Sequence, residues 1–344
     1  MHRSIRKGPI VIENGDVSDF YEEWPSPVVI ISDGPYGVSS FPGDPDSPYE
    51  LAKWYEPHIK AWSDKANPST TLWFWNTEIG WATVHPILQK YGWDFKSCNI
   101  WDKGIAHAAG NSNTKVLRQF PIVTEVCVQY TKRCVIHYHG KEVSLKYWLR
   151  KEWQRTKMPL SITNKVCGVK DAATRKYFTQ CNLWYFPPVE AFEKIVKYAN
   201  ENGDPQGRPY FSIDGNTPLT GEEWKRMRAK FYCEVGITNV WREPALRGQE
   251  RIKKGSKCVH INQKPLKLIE RMIKASSDYG DMVWEPFGGL CSGAIASYKL
   301  GRQCRSAEII DEFWENAQKR LLDYDTQSTF ENSAKRSVAA LCVI

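Results

Sequence analysis

None of the ten cysteines forms a Cys-x-x-Cys pair, which argues against zinc ribbons and thioredoxin-like redox centres. Scattered free thiols fit a reducing cytoplasm. No apolar run approaches the roughly 18–20 residues a membrane span needs. Residues 1–7 are basic but lack the apolar stretch of a secretory leader. There is no internal repeat. His137 and His139 face one side of an expected strand, but with no third ligand in view a structural role is expected and no metal. What is there is a 344-residue chain of ordinary globular composition, with 15 tryptophans. That length allows one large domain, or a core with an inserted one.

The net charge of +8 is unevenly placed. Residues 141–260 hold 23 Lys+Arg against 13 Asp+Glu, while the rest of the chain holds 24 against 26. A local cationic excess fits a polyanionic partner, because Lys and Arg displace counterions condensed on a phosphate backbone. A solvated basic surface without a partner has the same composition.

Strand and helix signals alternate at both ends of the chain. Pro27-Val28-Val29-Ile30-Ile31 and Thr70-Thr71-Leu72-Trp73-Phe74-Trp75 read as buried strands. A helix is expected over 78–91, and further strands over 95–101 and 125–130. In the last third, Pro265 opens a helix whose Leu266, Ile269, Met272 and Ile273 make one apolar stripe. A strand at 282–284, a Gly-rich turn, a helix at 294–300, a strand at 303–307 and a helix at 311–322 follow. This order implies an α/β fold with a doubly wound, mostly parallel sheet. The polar tail, 326–344, is expected to be poorly ordered.

The middle segment differs, with more Lys and Arg and less regular strand signal. Residues 161–167 and 171–179, separated by Gly168-Val169, have helix-turn-helix spacing with Asp171 as N-cap. That arrangement would present Arg175, Lys176, Tyr177 and Gln180 outward. A plain pair of short helices is the alternative. A longer helix is expected after Pro187-Pro188, ending at Asn202-Gly203. The 247–257 run, with Arg247, Arg251, Lys253 and Lys254, is a candidate phosphate-contacting loop.

Two turns carry the chemistry. The first, Asp33-Gly34-Pro35-Tyr36, follows an expected parallel strand, where ligands of such sheets bind. A carboxylate and a backbone carbonyl can together accept two hydrogen bonds from an exocyclic NH2, and Tyr36 can stack on the ring. An ordinary Asp/Gly/Pro turn looks the same. The second is Glu285-Pro286-Phe287-Gly288-Gly289, a strand-to-helix turn whose small residues let a ligand approach the backbone. One strand later, Glu308 stands where an acid holds a ribose diol.

Together these segments resemble the DNA amino-methyltransferases that act on N6 of adenine or N4 of cytosine. The family's catalytic motif is Asp/Asn/Ser-Pro-Pro-Tyr/Phe/Trp, matched here at three of four positions. Its cofactor motif, Asp-Pro-Phe-x-Gly-Ser-Gly, is similar to 285–291. Glu13-Asn14-Gly15-Asp16, the Trp-x-Lys segment at 99–103, the strand at 124–128 and Gln263-Lys264-Pro265 resemble further family elements. The catalytic motif comes first, as in the beta-type order. The resemblance covers about residues 10–135 and 255–322. It departs at Gly34, which replaces a Pro and implies a less rigid loop, and at Leu290 and Cys291, which replace Ser-Gly.

The resemblance implies a Rossmann-like core in two halves, 1–140 and 256–325, around a mainly helical target-recognition insert at 141–255. It implies S-adenosylmethionine as cofactor, held by Asp16, Lys264, Glu285, Pro286, Phe287, Gly288, Gly289 and Glu308. Asp33, Gly34, Pro35 and Tyr36 would grip a base flipped out of duplex DNA. Asp33 favours adenine N6 over cytosine N4. The expected partner is double-stranded DNA, with a cognate restriction endonuclease possible. The setting is a prokaryotic or phage-encoded cytoplasmic monomer or homodimer. An RNA or protein-amide methyltransferase, and a DNA-binding regulator without catalysis, are the alternatives.

Overall fold

Every side chain of β3 (Val29–Ser32) is buried, and alternate ones enter different cores. Val29 and Ile31 face one cluster and Ile30 the other. β4 (Thr71–Asn76) divides in the same way, with Trp73 and Trp75 on one side and Leu72 and Phe74 on the other. A two-residue side-chain period with both faces covered explains why these strands read as unbroken apolar runs. The chain is described from a computed structural model, which covers residues 3–39, 41–108, 117–170, 173–179, 184–246 and 250–324. The expected tail at 326–344 lies outside them.

The chain divides into two units. The first comprises residues 1–66, 70–132 and 230 onward. It is built on a nine-stranded sheet of order β1-β2-β13-β12-β3-β4-β6-β5-β9. The remaining strands are β1 (Arg3–Lys7), β2 (Ile10–Asn14), β5 (Trp93–Asp102), β6 (Thr124–Lys132), β9 (Val240–Arg242), β12 (Met282–Glu285) and β13 (Gln303–Glu308). β2, β13, β12, β3 and β4 run parallel, and only β1 and β6 oppose the common direction. The sheet is therefore mixed and mostly parallel, as the alternation implies.

α8 (Leu266–Ser276) covers one face with Leu268, Ile269, Met272 and Ile273. Each such fully buried side chain contributes about 1.5–3 kcal/mol relative to exposure. α9 (Ser292–Lys299) and a helix over 311–324 share that face. α1 (Leu51–Lys65) and α2 (Glu78–Lys90) cover the other. α1 was not legible, because Pro57 sits inside it and an interior proline normally ends a helix. Its Leu51, Tyr55, Ile59 and Trp62 nonetheless form a buried stripe. Among the described residues, no helix is long and apolar enough to cross a membrane.

The second unit, 133–229 with 67–69, has its own core around Trp148, Phe192, Phe211 and Trp224. The hairpin β7 (Val135–Tyr138) and β8 (Lys141–Ser144) precedes α3 (Leu145–Arg155). α4 (Leu160–Cys167), a single turn α5 (Arg175–Phe178), α6 (Val189–Asn202) and α7 (Gly221–Arg226) follow. Residues 230–255, expected in the insert, cluster with the sheet instead. α4 ends on Gly168 in the left-handed region, as its position implies. Of the expected second helix at 171–179, the described residues are helical over Arg175–Phe178 alone, and Tyr177, expected outward, is buried with Phe178. The reason is packing, since Phe178 stacks on Trp153 with centroids 4.9 Å apart. Asp171 and Gln180 lie outside the described residues. His137 is in β7, while His139 is in the following turn at φ 49°.

Glu152 of α3 is fully buried and anchors this unit. It accepts from Arg155 (2.9 Å), from Arg208 and from the Phe211 backbone N–H (2.8 Å). Glu152→Ala would strand two partly buried guanidinium groups, at a cost of about 3–5 kcal/mol. Urea melts followed by tryptophan fluorescence should show an early transition for this unit. An unchanged midpoint would refute the anchoring role.

Candidate active site

β2, β13, β12 and β3 are neighbours and parallel, so their carboxyl ends share one edge. The residues there are Gly15-Asp16, Glu308, Glu285 with the following turn, and Asp33 with its turn. They line one cavity of about 310 Å³. All the expected catalytic and cofactor residues border it: Asp16, 33–36, Lys264, 285–289 and Glu308.

Asp33 sits in a web of charges. Lys264 Nζ lies 2.8 Å from Asp33 Oδ1, 3.3 Å from Glu125 Oε2 and 3.1 Å from the Tyr36 hydroxyl. Tyr36 in turn lies 3.0 Å from Asp33 Oδ1 and 3.1 Å from Glu125 Oε2. Its single proton can serve only one of them at a time. Lys103 closes the web with a 2.5 Å contact to Glu125 Oε1. Burial pushes the Asp33 carboxyl up, and Lys264 only partly offsets this. Burial would also raise Glu125, but Lys264 and Lys103 outweigh it and hold that carboxyl below its usual range. Burial would lower Lys264, yet Asp33 and Glu125 prevail and keep its ammonium charged.

Gly34 stands where the resembled motif has proline, and the structure shows what the glycine does. Its backbone is not left-handed, so the requirement is space. A Cβ there would lie 2.6 Å from the Phe287 ring and 2.7 Å from the Tyr55 hydroxyl. Nor is the loop loose. The Pro35 carbonyl accepts from Tyr55 Oη (3.1 Å) and Asn76 Nδ2 (3.0 Å). With Asp33 Oδ1 and the Pro35 carbonyl engaged, the acceptors the turn can offer a ligand are Asp33 Oδ2 and the Gly34 carbonyl.

In the second turn, the Glu285 carboxylate is held by the protein's own donors. It accepts from the backbone N–H groups of Gly293 (2.5 Å) and Ala294 (3.0 Å) and from Ser306 Oγ (2.9 Å), holding the first turn of α9. Gly293 is needed for this, since a Cβ would meet the carboxyl at 2.7 Å. Burial raises Glu285 to about 7. Cys291, in place of the motif's glycine, adopts φ 51° and is fully buried. A non-glycine residue there costs about 1–2 kcal/mol. Arg320 bonds the Leu290 carbonyl and Ser292 Oγ, both at 2.9 Å, and so fixes the far end of the turn.

Glu308 accepts from Gly289 N–H (2.6 Å) and Ile310 N–H (2.8 Å), and burial raises it to about 7. Asp16 caps a short turn by accepting from Ser18 N–H (2.9 Å) and borders the cavity. Two wall histidines are neutral: burial lowers His58 to about 4, and burial with Lys264 and Arg251 lowers His260 to about 4. His260 stacks on Phe41 at 5.0 Å.

Glu125 and Lys103 were not among the expected site residues, though both fall in segments that resemble family elements. Tyr55, Asn76 and His58 had no sequence signal. The candidate DNA residues are divided between the two units. Arg175 is exposed on α5 and Lys176 half-buried beside it. Arg251 donates to the carbonyls of Leu246 (3.1 Å) and Ile261 (2.6 Å), so it braces its own loop. Lys253 and Lys254 are exposed in a short hairpin, with Lys254 3.1 Å from Glu312. Arg247 lies outside the described residues.

Both turns thus stand at the carboxyl edge of a parallel sheet, where ligands of such sheets bind. The chain belongs to the N6/N4 DNA methylase family, whose model, described as DNA methylase, it matches over residues 28–319. It is 32% identical over 127 residues to the type II methyltransferase M1.MboII of Moraxella bovis, covering 37% of this chain and 42% of that protein. The chain spans about half the length of the curated relatives it matches. In fold it is similar to the M1.HpyAVI–SAM complex (TM-score 0.50, 16% identity, 91% of this chain and 98% of that one). It is also similar to the PvuII cytosine-N4-specific DNA methyltransferase (TM-score 0.51, 10% identity, 91% and 90%).

The raised glutamate has a consequence for stability. An unfolded glutamate titrates near 4.5, and folded Glu308 near 7. Between these values the folded state holds the extra proton, so stability falls as pH rises from about 4.5 to about 7. The full loss is on the order of 3 kcal/mol. Glu308→Gln should therefore melt later than wild type at pH 8 and show no gain at pH 4.5. A pH-independent difference in urea midpoints would contradict this.

Proposed function

We propose that this chain transfers a methyl group from S-adenosylmethionine to an exocyclic amino nitrogen of a base in duplex DNA, with adenine N6 as the target. The observation that carries this is that the Asp33 turn and the cofactor turn touch across one cavity, Phe287 pressing on Gly34. The fold is read as the S-adenosylmethionine-dependent methyltransferase form of the doubly wound sheet, with the 133–229 unit as target-recognition insert.

The donor set fits the cofactor. Glu308 and Asp16 offer carboxylates to hydroxyl and amino groups, the 286–289 turn offers backbone, and Phe287 and Trp54 supply apolar walls. Bound S-adenosylmethionine would supply an electrophilic methyl group. Asp33 Oδ2 and the Gly34 carbonyl accept the two N–H bonds of the target amine and turn its lone pair toward that methyl. As positive charge develops on the nitrogen, the Asp33 carboxylate stabilises it. The surplus proton then leaves for Asp33, whose carboxyl burial has already made more basic. Lys264 and Glu125 hold Asp33 and Tyr36 in place throughout, and Tyr36 offers its ring to a base flipped from the stack. Asp33 in the first motif position favours adenine over cytosine, where serine is usual.

Incubation with labelled S-adenosylmethionine and mixed-sequence duplex DNA, followed by nucleoside mass analysis, should yield N6-methyladenine. N4-methylcytosine would overturn the base assignment, and label in RNA or protein but not DNA would overturn the substrate class. Gly34→Ala should lower transfer at least about 100-fold, because it displaces the reacting groups by tenths of an ångström or more. Tyr55→Phe, which removes one of two bonds to the Pro35 carbonyl, should cost about 10-fold or less. Equal losses in the two variants would contradict the steric role of Gly34.

Cofactor affinity should fall as pH drops from 8 to 6, because Glu308, raised to about 7, becomes protonated and loses acceptor capacity. Calorimetric titration measures this, and a flat profile would remove Glu308 from cofactor binding.

A further inference from the structure

His58 lies on α1, is 8% exposed and borders the cavity. Aromatic neighbours pack its ring in place, with centroids 4.6 Å away in Trp54 and 5.2 Å away in Phe287. Burial keeps the ring neutral, and the nearby Asp16 carboxylate opposes this only in part. A neutral imidazole carries one N–H and one bare nitrogen. Which nitrogen holds the proton follows from what surrounds it.

Trp62 Nε1 donates to the Tyr21 hydroxyl at 2.9 Å, and an indole N–H can only donate. Tyr21 is buried, so its own hydroxyl proton needs an acceptor. Among the described residues, the one acceptor within reach is His58 Nδ1, at 3.1 Å. A proton on Nδ1 would turn that bond round and strand the buried Tyr21 proton, which is costly. Nδ1 is therefore the bare nitrogen, and the proton sits on Nε2. Nε2 has no hydrogen-bond partner among the described residues. The relay Trp62–Tyr21–His58 thus delivers an N–H donor to the cavity wall.

We propose that His58, held in this tautomer by Tyr21 and Trp62, donates to a ring nitrogen of the cofactor's adenine and so selects that base. The proposal rests on the S-adenosylmethionine reading above. Glu308, taken there as a hydroxyl acceptor, ends β13, and the Gly15 N–H donates to its carbonyl at 3.0 Å. Asp16 therefore stands one strand over from the ribose position. The adjoining wall is supplied by Asp16, Val17, Trp54, His58 and Phe287. It is apolar and aromatic except for one acceptor and one donor. Asp16 Oδ1 is engaged by Ser18 N–H, which leaves Oδ2 as that acceptor. An acceptor with a donor nearby matches adenine, whose amino group donates while N1 and N7 on either side of it accept. A purine with a carbonyl in place of the amino group offers Asp16 the wrong polarity.

The test uses the full chain without cofactor and three probes. These are S-adenosylhomocysteine and its 1-deaza and 7-deaza analogues, in which C–H replaces N1 or N7. Calorimetric titration at pH 8 gives the affinities. Wild type should bind one of the two analogues about 5- to 10-fold more weakly than S-adenosylhomocysteine, the effect of one lost hydrogen bond. His58→Phe keeps an aromatic ring and removes the donor, so that penalty should vanish in it. Circular dichroism checks its fold, with His58→Leu as the substitute. A merely structural role for His58 would weaken all three probes and leave the penalty in place. Long-range proton–nitrogen NMR of wild type should show Nε2 protonated and Nδ1 bare in the resonances that the variant lacks.

Wild type that binds S-adenosylhomocysteine and both analogues equally overturns the role of His58 alone. So does a penalty that survives in the variant, or a proton found on Nδ1. Wild type that binds none of the three probes overturns the cofactor reading as well.

Discussion

The ammonium of Lys264 is nearly inaccessible, and three separate stretches of chain converge on it. It precedes α8, meets Asp33 after β3, and meets Glu125 at the start of β6. Removing it would leave two partly buried carboxylates facing each other, which like charges at such range tolerate poorly. Asp33 can therefore approach a ligand as a defined acceptor only because Lys264 and Lys103 balance the charge of the pair. Tyr36 depends on the same balance, because its hydroxyl spans the two carboxylates. Ring orientation, carboxylate orientation and the entry of α8 are thus one electrostatic arrangement.

The Gly34 contact shows how a local departure from a motif is absorbed. A proline would stiffen the turn through its ring. Here the stiffness comes from outside, through Tyr55 and Asn76 on the Pro35 carbonyl. The space the proline ring would take is filled by Phe287. The Asp33 and Glu285 turns are consequently in van der Waals contact. Loop rigidity, inferred as weakened from the sequence, is restored by residues 20 and 41 positions further along.

Legibility followed periodicity and adjacency. β3, β4, α8 and β12 could be read because their apolar residues keep one period without interruption, and β13 from its place in the alternation. α1 could not, since Pro57 contradicts its own stripe, and the polar edge strand β1 offers almost no apolar signal. In the site, the residues on the two turns were legible because each turn is contiguous in sequence. Tyr55, Asn76 and the pairing of Glu125 with Lys103 were not, because they act through distance in space rather than spacing in the chain. The expectation that Tyr177 faces outward failed for a related reason. Helical spacing at 175–178 does not reveal that Tyr177 and Phe178 are claimed by the core beside Trp153.

Glutamates at two places illustrate opposite uses of burial. Glu152 is fully buried but surrounded by two guanidinium groups and a backbone N–H, so its charge organises the second unit. Glu308 is buried with backbone donors only, and its carboxyl stays reluctant to ionise. A group in that state gains most when a ligand brings further hydrogen-bond donors. The satisfied Glu152 cluster, by contrast, has nothing left to offer a ligand.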